Sequence, residues 1–262
     1  MPSQRRWKRL AKNILFFSIT FSLLANDKIV DLTLSGKYNP SQYPAIFKTV
    51  PVAYATQDGM YLHKDALEAF IEMAQNAKKA GFDIFIISAI RDFNSQKYIW
   101  ESKFNGERLV NGMDLKKKYP DIRTRALKIL EYSSMPGTSR HHWGTDIDIG
   151  FDLKNSGNML NNEVYASGKG KEFYSWMLQY ASDYGFCQPY KNTPKVRNPG
   201  LKHGYQQEKW HWSYQPLSSK YLKIFLKHSE NYIPSGFDGS SVAKSMYLDY
   251  VQNIDKSCDE LQ

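Results

Sequence analysis

The stretch SRHHWGTDIDIG, residues 139–150, combines two histidines and two aspartates with a short alternating pattern of apolar residues. Its last six residues predict a strand, with the two aspartates on one face and the two isoleucines on the other. Carboxylates on one face of a buried strand are costly unless a cation or hydrogen bonds meet them. A turn at Gly144 would bring His141 and Asp148 to the same point. These residues alone leave two interpretations open: half of a metal site, or a polar loop that leads into a strand.

Helical and strand-like segments are mixed around this stretch, without the regular alternation of a parallel sheet. Apolar residues recur with helical spacing over 64–82, and Gly81 is expected to end that helix. The Ile-rich segment 83–88 and the aromatic segment 208–214 predict short strands. Further helices are predicted over 91–104, 121–134, 171–186, 218–228 and 242–254. The pattern predicts an α+β fold in which helices flank a small antiparallel sheet.

A second polar cluster lies in EKWHWSY, residues 208–214. Catalytic zinc usually takes three protein ligands and leaves a fourth position to water, and His141, Asp148 and His211 would supply such a set. Glu208 would then be the natural general base for that water. There is one geometric objection, because residues three apart on a flat strand point to opposite faces. Glu208 and His211 can share a site only if the chain bends or bulges between them.

A third segment, ISAIRDFNSQ at 87–96, carries an arginine where a buried strand is expected to end. Arg91 at such a sheet edge could hold a carboxylate in a bidentate pair or stabilise a developing oxyanion. Gln96 follows about one and a half helical turns later. The alternative is a surface arginine that pairs with Asp92, and this segment by itself does not exclude it.

Part of the formal net charge of +9 is concentrated at the N-terminus. Residues 1–25 hold five basic residues and no acid, and the remaining positive charge is too small and dispersed to indicate nucleic-acid binding. A basic stretch followed by the apolar run 14–24 predicts a secretory signal peptide, with an uncleaved membrane anchor as the alternative. We therefore expect an exported protein of the periplasm or cell envelope. Its two cysteines, Cys187 and Cys258, permit a disulfide there, or two free thiols.

Three motifs together resemble the VanY-like branch of the M15 zinc peptidases. SRHHWGTDID resembles their S-x-H-x-x-G-x-A-x-D motif, EKWH resembles E-x-W-H, and SAIRDFNSQ resembles S-G-Y-R-S-x-x-x-Q. The resemblance covers about 80–230 and implies a Hedgehog/DD-peptidase-like zinc peptidase fold, with 26–262 as a single monomeric domain. It implies a D-alanyl-D-alanine carboxypeptidase that trims peptidoglycan stem peptides. An L,D-carboxypeptidase, an endopeptidase on the same scaffold and a non-catalytic peptidoglycan-binding module remain alternatives.

The resemblance also assigns roles to individual residues. It implies zinc ligands at His141, Asp148 and His211, a catalytic base at Glu208, and a polarising, carboxylate-binding arginine at Arg91. The remaining motif positions are expected to contact substrate: Ser139, Gln96, Ser88, Asp146 and Trp210.

The chain departs from the family pattern at several of these positions. Asp146 replaces a small residue two positions before the ligand Asp148, so it could hydrogen-bond His141, bind a substrate amine or compete for the metal. The loss of the Gly and Tyr of S-G-Y-R-S leaves the shape of the substrate pocket open. His142 and His203 fall outside the motif positions, and we expect surface or supporting roles for them.

Overall fold

The aspartate-rich stretch forms an inner strand of a four-stranded sheet in the computed structural model, which describes residues 28–152 and 158–259. The predicted signal peptide or anchor, 1–25, lies outside the described residues. In chain order the strands are β1 (Phe47–Thr49), β2 (Tyr61–His63), β3 (Ile84–Ser88), β4 (Asp146–Phe151), β5 (Phe186–Cys187) and β6 (His211–Tyr214). The main sheet has the order β3-β4-β6-β5 with every pairing antiparallel, and β1 and β2 form a separate antiparallel pair. The predicted α+β class with a small antiparallel sheet is confirmed.

Helices surround this sheet. In chain order they are α1 (28–35), α2 (Lys64–Lys79), α3 (Phe93–Phe104), α4 (Leu115–Lys118), α5 (Ile122–Ile129), α6 (Gly168–Tyr180), α7 (Pro194–Arg197), α8 (Gln215–Lys227) and α9 (Tyr247–Gln252). Within the described ranges, no helix has both the length and the apolar character needed to cross a bilayer.

The predicted helices are present, and three of them end early or are interrupted. The helix predicted over 121–134 ends at Ile129, and the chain then turns toward Pro136. The segment 171–186 ends its α-helix at Tyr180 and continues through a 3-10 turn into β5. The segment 242–254 is divided into a 3-10 helix and α9, because Met246 has a non-helical backbone. Apolar periodicity does not register such breaks, since the side chains on both sides of them are still buried.

The alternation in β4 separates an apolar face from a polar one. Ile147 and Ile149 are fully buried and belong to one hydrophobic cluster with Phe70 of α2 and with Phe173 and Met177 of α6. Burial of each such side chain contributes about 1.5–3 kcal/mol. This cluster fixes which way β4 faces, and it therefore forces both aspartates of the strand onto the opposite face.

A second hydrophobic cluster lies on the other side of the molecule and supports the polar face. It joins α3, α5, α8 and α9 around Trp100, Ile129, Phe225 and Tyr250. Trp143, which follows the two histidines, is fully buried within this cluster. The 3-10 turn that carries those histidines is therefore held by the core.

A disulfide ties the C-terminal segment to the sheet, as the sequence permitted. Cys187 of β5 is bonded to Cys258, which lies 71 residues later and is fully buried. Free cysteines are absent from the described part of the chain. The bridge closes a long loop that includes β6, so it restricts the unfolded chain over the segment that carries His211.

Removal of this disulfide is expected to destabilise the protein. The double substitution Cys187→Ser and Cys258→Ser should lower the free energy of unfolding by about 2–4 kcal/mol, because the unfolded chain regains the entropy of an open loop. Chemical denaturation measures the difference, and reduced wild-type protein is the matched control. A loss of unfolding free energy below about 1 kcal/mol in both the double variant and the reduced wild type would contradict a stabilising role for the disulfide.

Candidate metal centre

Three buried side chains converge on the polar face of the sheet. His141, Asp148 and His211 each offer a ligand atom, and these atoms lie within 4.8 Å of one another. His141 lies in the 3-10 turn Arg140–Trp143, which ends at Gly144 in the left-handed conformation (φ 70°). Asp148 and His211 are directly paired residues of β4 and β6. The turn at Gly144 and this register bring together residues that are far apart in sequence.

The carboxylate of Asp148 lies between the two histidines. Its Oδ2 is 3.4 Å from His141 Nε2, and its Oδ1 is 3.1 Å from His211 Nδ1. Oδ1 is buried but makes no hydrogen bond. A buried carboxylate oxygen without a hydrogen-bond partner is costly, and a cation between these three groups would satisfy it. Two imidazoles and one carboxylate also form a common catalytic zinc set, so these residues fit such an ion.

Each histidine is oriented by its second ring nitrogen. His141 Nδ1 donates to the carbonyl oxygen of Ala89 at 2.9 Å, which leaves Nε2 as the nitrogen that faces Asp148. His211 Nε2 donates to Asp146 Oδ1 at 3.0 Å, which leaves Nδ1 facing Asp148. Metal-ligating histidines almost always donate their other N–H to a carbonyl or a carboxylate in this way. The arrangement therefore presents one ring nitrogen of each histidine to the centre.

Asp146 lies behind His211 and is fully buried, so the structure does not place it in contact with solvent or with the cavity. Its carboxylate accepts hydrogen bonds from Arg140 Nε at 2.8 Å, Thr145 Oγ1 at 2.7 Å and Ser213 Oγ at 2.9 Å. Burial opposes its ionisation, but Arg140 and the bond from His211 outweigh burial and lower the pKa of Asp146. Asp146 hydrogen-bonds His211, whereas the sequence suggested His141.

Glu208 reaches the centre from the turn that precedes β6. Its Oε2 is 3.6 Å from His211 Nδ1. The His211 N–H donates to the Glu208 carbonyl at 3.3 Å, so the chain turns tightly between them, and the strand begins only at His211. This removes the geometric objection. Burial raises the pKa of Glu208 to about 8, with His211 opposing that rise.

Arg91 is held in place beside the centre. Its Nη1 donates to Gln96 Oε1 at 2.7 Å and its Nη2 donates to Ser88 Oγ at 2.9 Å, while Nη2 lies 4.0 Å from Asp148 Oδ2. Asp92 does not pair with Arg91, because its carboxylate caps α3 by accepting from the Ser95 N–H. Arg91 therefore faces the three-residue cluster instead of the surface.

Gln96 and Ser88 lie behind Arg91, and neither lines the cavity. Gln96 is fully buried, and its Nε2 donates to the carbonyl oxygen of Ser134 at 2.7 Å. His142 is fully buried too and donates from Nδ1 to the Arg91 carbonyl oxygen, so it supports the arginine backbone and is not a surface residue. His203 stacks on Tyr250 outside the cavity.

A cavity of about 620 Å³ opens over the centre. Of the expected substrate contacts, Ser139 and Trp210 lie in its wall, and Trp210 packs near Tyr132 with ring centroids 6.5 Å apart. The sequence motifs assign no role to other residues of the wall, including Lys103, Arg108, Tyr132 and Tyr190. Only Lys103 had a sequence signal, because it lies two helical turns after Gln96 on α3.

Comparisons with known proteins identify a family. A family model described as VanY, D-alanyl-D-alanine carboxypeptidase, matches residues 59–217. The chain is 28% identical over 184 residues to the Bacillus subtilis (strain 168) protein named "Putative carboxypeptidase YodJ", covering 69% of this chain and 56% of that relative. It therefore spans little more than half of the relative's length.

Two solved structures are also similar. The LdcB LD-carboxypeptidase has 21% identity and a TM-score of 0.49, with 83% of this chain and 81% of that chain covered. The vancomycin resistance D,D-pentapeptidase VanY from a VanB-type cassette, solved as a mutant in complex with Zn(II), has 20% identity and a TM-score of 0.44, with 68% and 89% covered.

The two aspartates of β4 are expected to differ in their effect on metal binding. Asp148→Asn should abolish stoichiometric zinc binding, because it removes a ligand. Asp146→Asn should retain zinc with an affinity about 10- to 100-fold weaker, because it only loosens the orientation of His211. Zinc affinity is measured by competition with a chromophoric chelator. Loss of metal in Asp146→Asn alone would reverse the assignment.

Metal binding is expected to release protons near neutral pH. Burial would lower the pKa of His211, but the hydrogen bond to Asp146 and the adjacent negative charge of Asp148 raise it to about 9. Below pH 9, His211 of the metal-free protein therefore carries a second ring proton, which the metal must displace. The apparent zinc affinity should therefore fall about tenfold for each pH unit below 9.

Calorimetry in buffers of different ionisation enthalpy counts the released protons. Glu208→Gln removes a neighbouring carboxyl that could also lose a proton, and below about pH 7 a zinc-bound water would keep its proton, so the release there reports His211. An affinity independent of pH between 6 and 8 in that variant would contradict the protonated metal-free state.

Proposed function

Because the chain belongs to the VanY family of D-alanyl-D-alanine carboxypeptidases, we propose that it is a zinc-dependent enzyme that removes the C-terminal D-alanine from peptidoglycan stem peptides. One observation carries the proposal. The buried cluster of His141, Asp148 and His211 lies in the wall of a cavity, with the Glu208 carboxylate 3.6 Å from a ligand nitrogen. A module that only binds peptidoglycan has no need of such a carboxylate.

His141, Asp148 and His211 would hold the zinc ion. When bound there, the ion would lower the pKa of a coordinated water to about 7 and polarise the scissile carbonyl. The protein contributes the orientation of the two imidazoles, which Ala89 and Asp146 fix through their hydrogen bonds.

Glu208 moves the proton in this mechanism. Its carboxylate takes a proton from the attacking water and then gives it to the nitrogen of the departing amino acid. Its buried position suits a group that must be ionised at the start of the reaction and protonated in the middle of it. The tight turn to His211 keeps the carboxylate close to the metal ligands without making it one of them.

Arg91 stabilises the negative charge that develops on the carbonyl oxygen. Its guanidinium is fixed by Gln96 and Ser88 before substrate arrives, so little reorganisation is needed at the moment of reaction. In this proposal Gln96 and Ser88 act through Arg91, and Asp146 acts through His211. Ser139 and Trp210 contact the substrate from the cavity wall.

The cellular setting is also a proposal. The disulfide between Cys187 and Cys258 suits an oxidising compartment, which supports export to the periplasm or cell envelope. Peptidoglycan stem peptides are accessible there. We propose a single exported zinc carboxypeptidase domain over 26–262 that acts as a monomer.

Glu208 is expected to be required for turnover and dispensable for metal binding. Glu208→Gln should lower kcat/KM on stem peptides by about 10²- to 10⁴-fold while one zinc per chain is retained. Mass spectrometry of the digest and metal analysis measure the two effects. Glu163→Gln, which alters another acid that lines the cavity, is the matched control and should retain activity. Wild-type rates in Glu208→Gln would contradict the mechanism.

The same digest identifies the bond that is cut. Loss of one alanine from a pentapeptide stem but not from a tetrapeptide stem supports D,D-cleavage. The opposite preference indicates an L,D-carboxypeptidase, and larger fragments indicate an endopeptidase. Absence of any product from the zinc-loaded protein would favour the binding module.

A further inference from the structure

One side of the cavity is lined by cations that the mechanism above does not use. Lys103 and Arg108 line it together with Arg91. Lys103 lies near the end of α3, and Ile99, one helical turn earlier on the same face, lines the cavity as well. The face of α3 that holds Gln96 against Arg91 thus continues into the cavity wall and ends in an ammonium group.

These cations have no anionic partner in the described part of the chain. The Lys103 ammonium donates to the Ser133 hydroxyl oxygen, and neither Lys103 nor Arg108 forms an ion pair with any residue of 28–152 or 158–259. Burial, with Arg108 and Arg91 nearby, lowers the pKa of Lys103 to about 8. Arg91 pairs with Asp148, whereas Lys103 and Arg108 are two further like charges that a bound anion would neutralise.

We propose that Lys103, with Arg108 beside it, binds the free carboxylate of the substrate's C-terminal residue and so makes the enzyme specific for chain ends. This inference rests on the proposed function. A carboxypeptidase substrate carries one carboxylate next to the scissile bond, and that carboxylate needs a cation distinct from the group that stabilises the oxyanion. Arg91 faces Asp148 and is bonded to Gln96 and Ser88, so it is already placed for the oxyanion.

Gln96, the residue expected to contact substrate, does not supply this contact. Its carbonyl oxygen accepts from Arg91, its amide nitrogen donates to Ser134, and it is fully buried. Lys103 lies on the same helix and lines the cavity, and its ammonium donates to Ser133, another residue of the cavity wall. Ser133 accepts from Lys103, so its own hydroxyl hydrogen can be donated to the same carboxylate.

The test compares a stem peptide that ends in a free carboxylate with the same peptide ending in an amide, using zinc-loaded full-length protein. In the wild type the acid should have the higher kcat/KM. Lys103→Met should reduce the acid-to-amide ratio of kcat/KM about 10- to 100-fold, mainly through KM, because a charge-assisted hydrogen bond is lost. Lys103→Arg should restore most of the ratio, and Lys220→Met, at an exposed lysine of α8, is the matched control.

A binding measurement separates this inference from the proposed function. In a Glu208→Gln background, calorimetry should show tighter binding of the acid peptide than of the amide, and adding Lys103→Met should remove the difference. A wild type that cleaves the peptide, with an unchanged ratio in Lys103→Met, would overturn the role of Lys103 and leave the function standing. A wild type that cleaves nothing, with acid-selective binding that depends on Lys103, would overturn the function and support the carboxylate site.

Discussion

The antiparallel pairing of β4 with β6 positions the side chains of the site. Its register sets Asp148 opposite His211 and Asp146 opposite Ser213. Paired residues of neighbouring strands point to the same side of a sheet, so one register delivers two ligands and the polar groups that orient them. A slip of one residue would turn both aspartates into the hydrophobic cluster around Ile147. The packing of the apolar face therefore specifies the chemistry of the polar face.

The polar face keeps a large amount of charge out of water, and its arrangement shows how this is tolerated. Asp146 is ionised and fully buried because Arg140, Thr145 and Ser213 satisfy its oxygens. The guanidinium of Arg140 lies 4.5 Å from the Trp143 ring centroid, within the second hydrophobic cluster. A buried ion pair such as Arg140–Asp146 contributes little net stability. Its consequence is a fixed orientation for His211, which bonds to Asp146. The family pattern has a small residue at position 146.

Local physics makes part of this site predictable from the sequence. The alternation in 146–151 predicts the strand and its polar face, and Gly144 predicts the turn that brings in His141. A side chain whose role depends on tertiary packing is harder to predict. The turn before β6 resolved the conflict between Glu208 and His211, and no strand periodicity encodes it. Gln96, Ser88 and Asp146 lie one layer behind the cavity, because burial and direction are set by elements distant in sequence. The proposed role of Lys103 depends on its position in the cavity wall and on its lack of an ion pair among the described residues, and both require the structure.

We propose that His141, Asp148 and His211 together hold one metal ion. Diffraction from crystals of the zinc-loaded protein, recorded on both sides of the zinc absorption edge, locates that ion. We expect a single anomalous peak about 2.0–2.1 Å from His141 Nε2 and from His211 Nδ1, with an Asp148 oxygen as the third protein ligand. A peak coordinated by Asp146 or His142, or no peak at this cluster in protein that contains one zinc per chain, would contradict it.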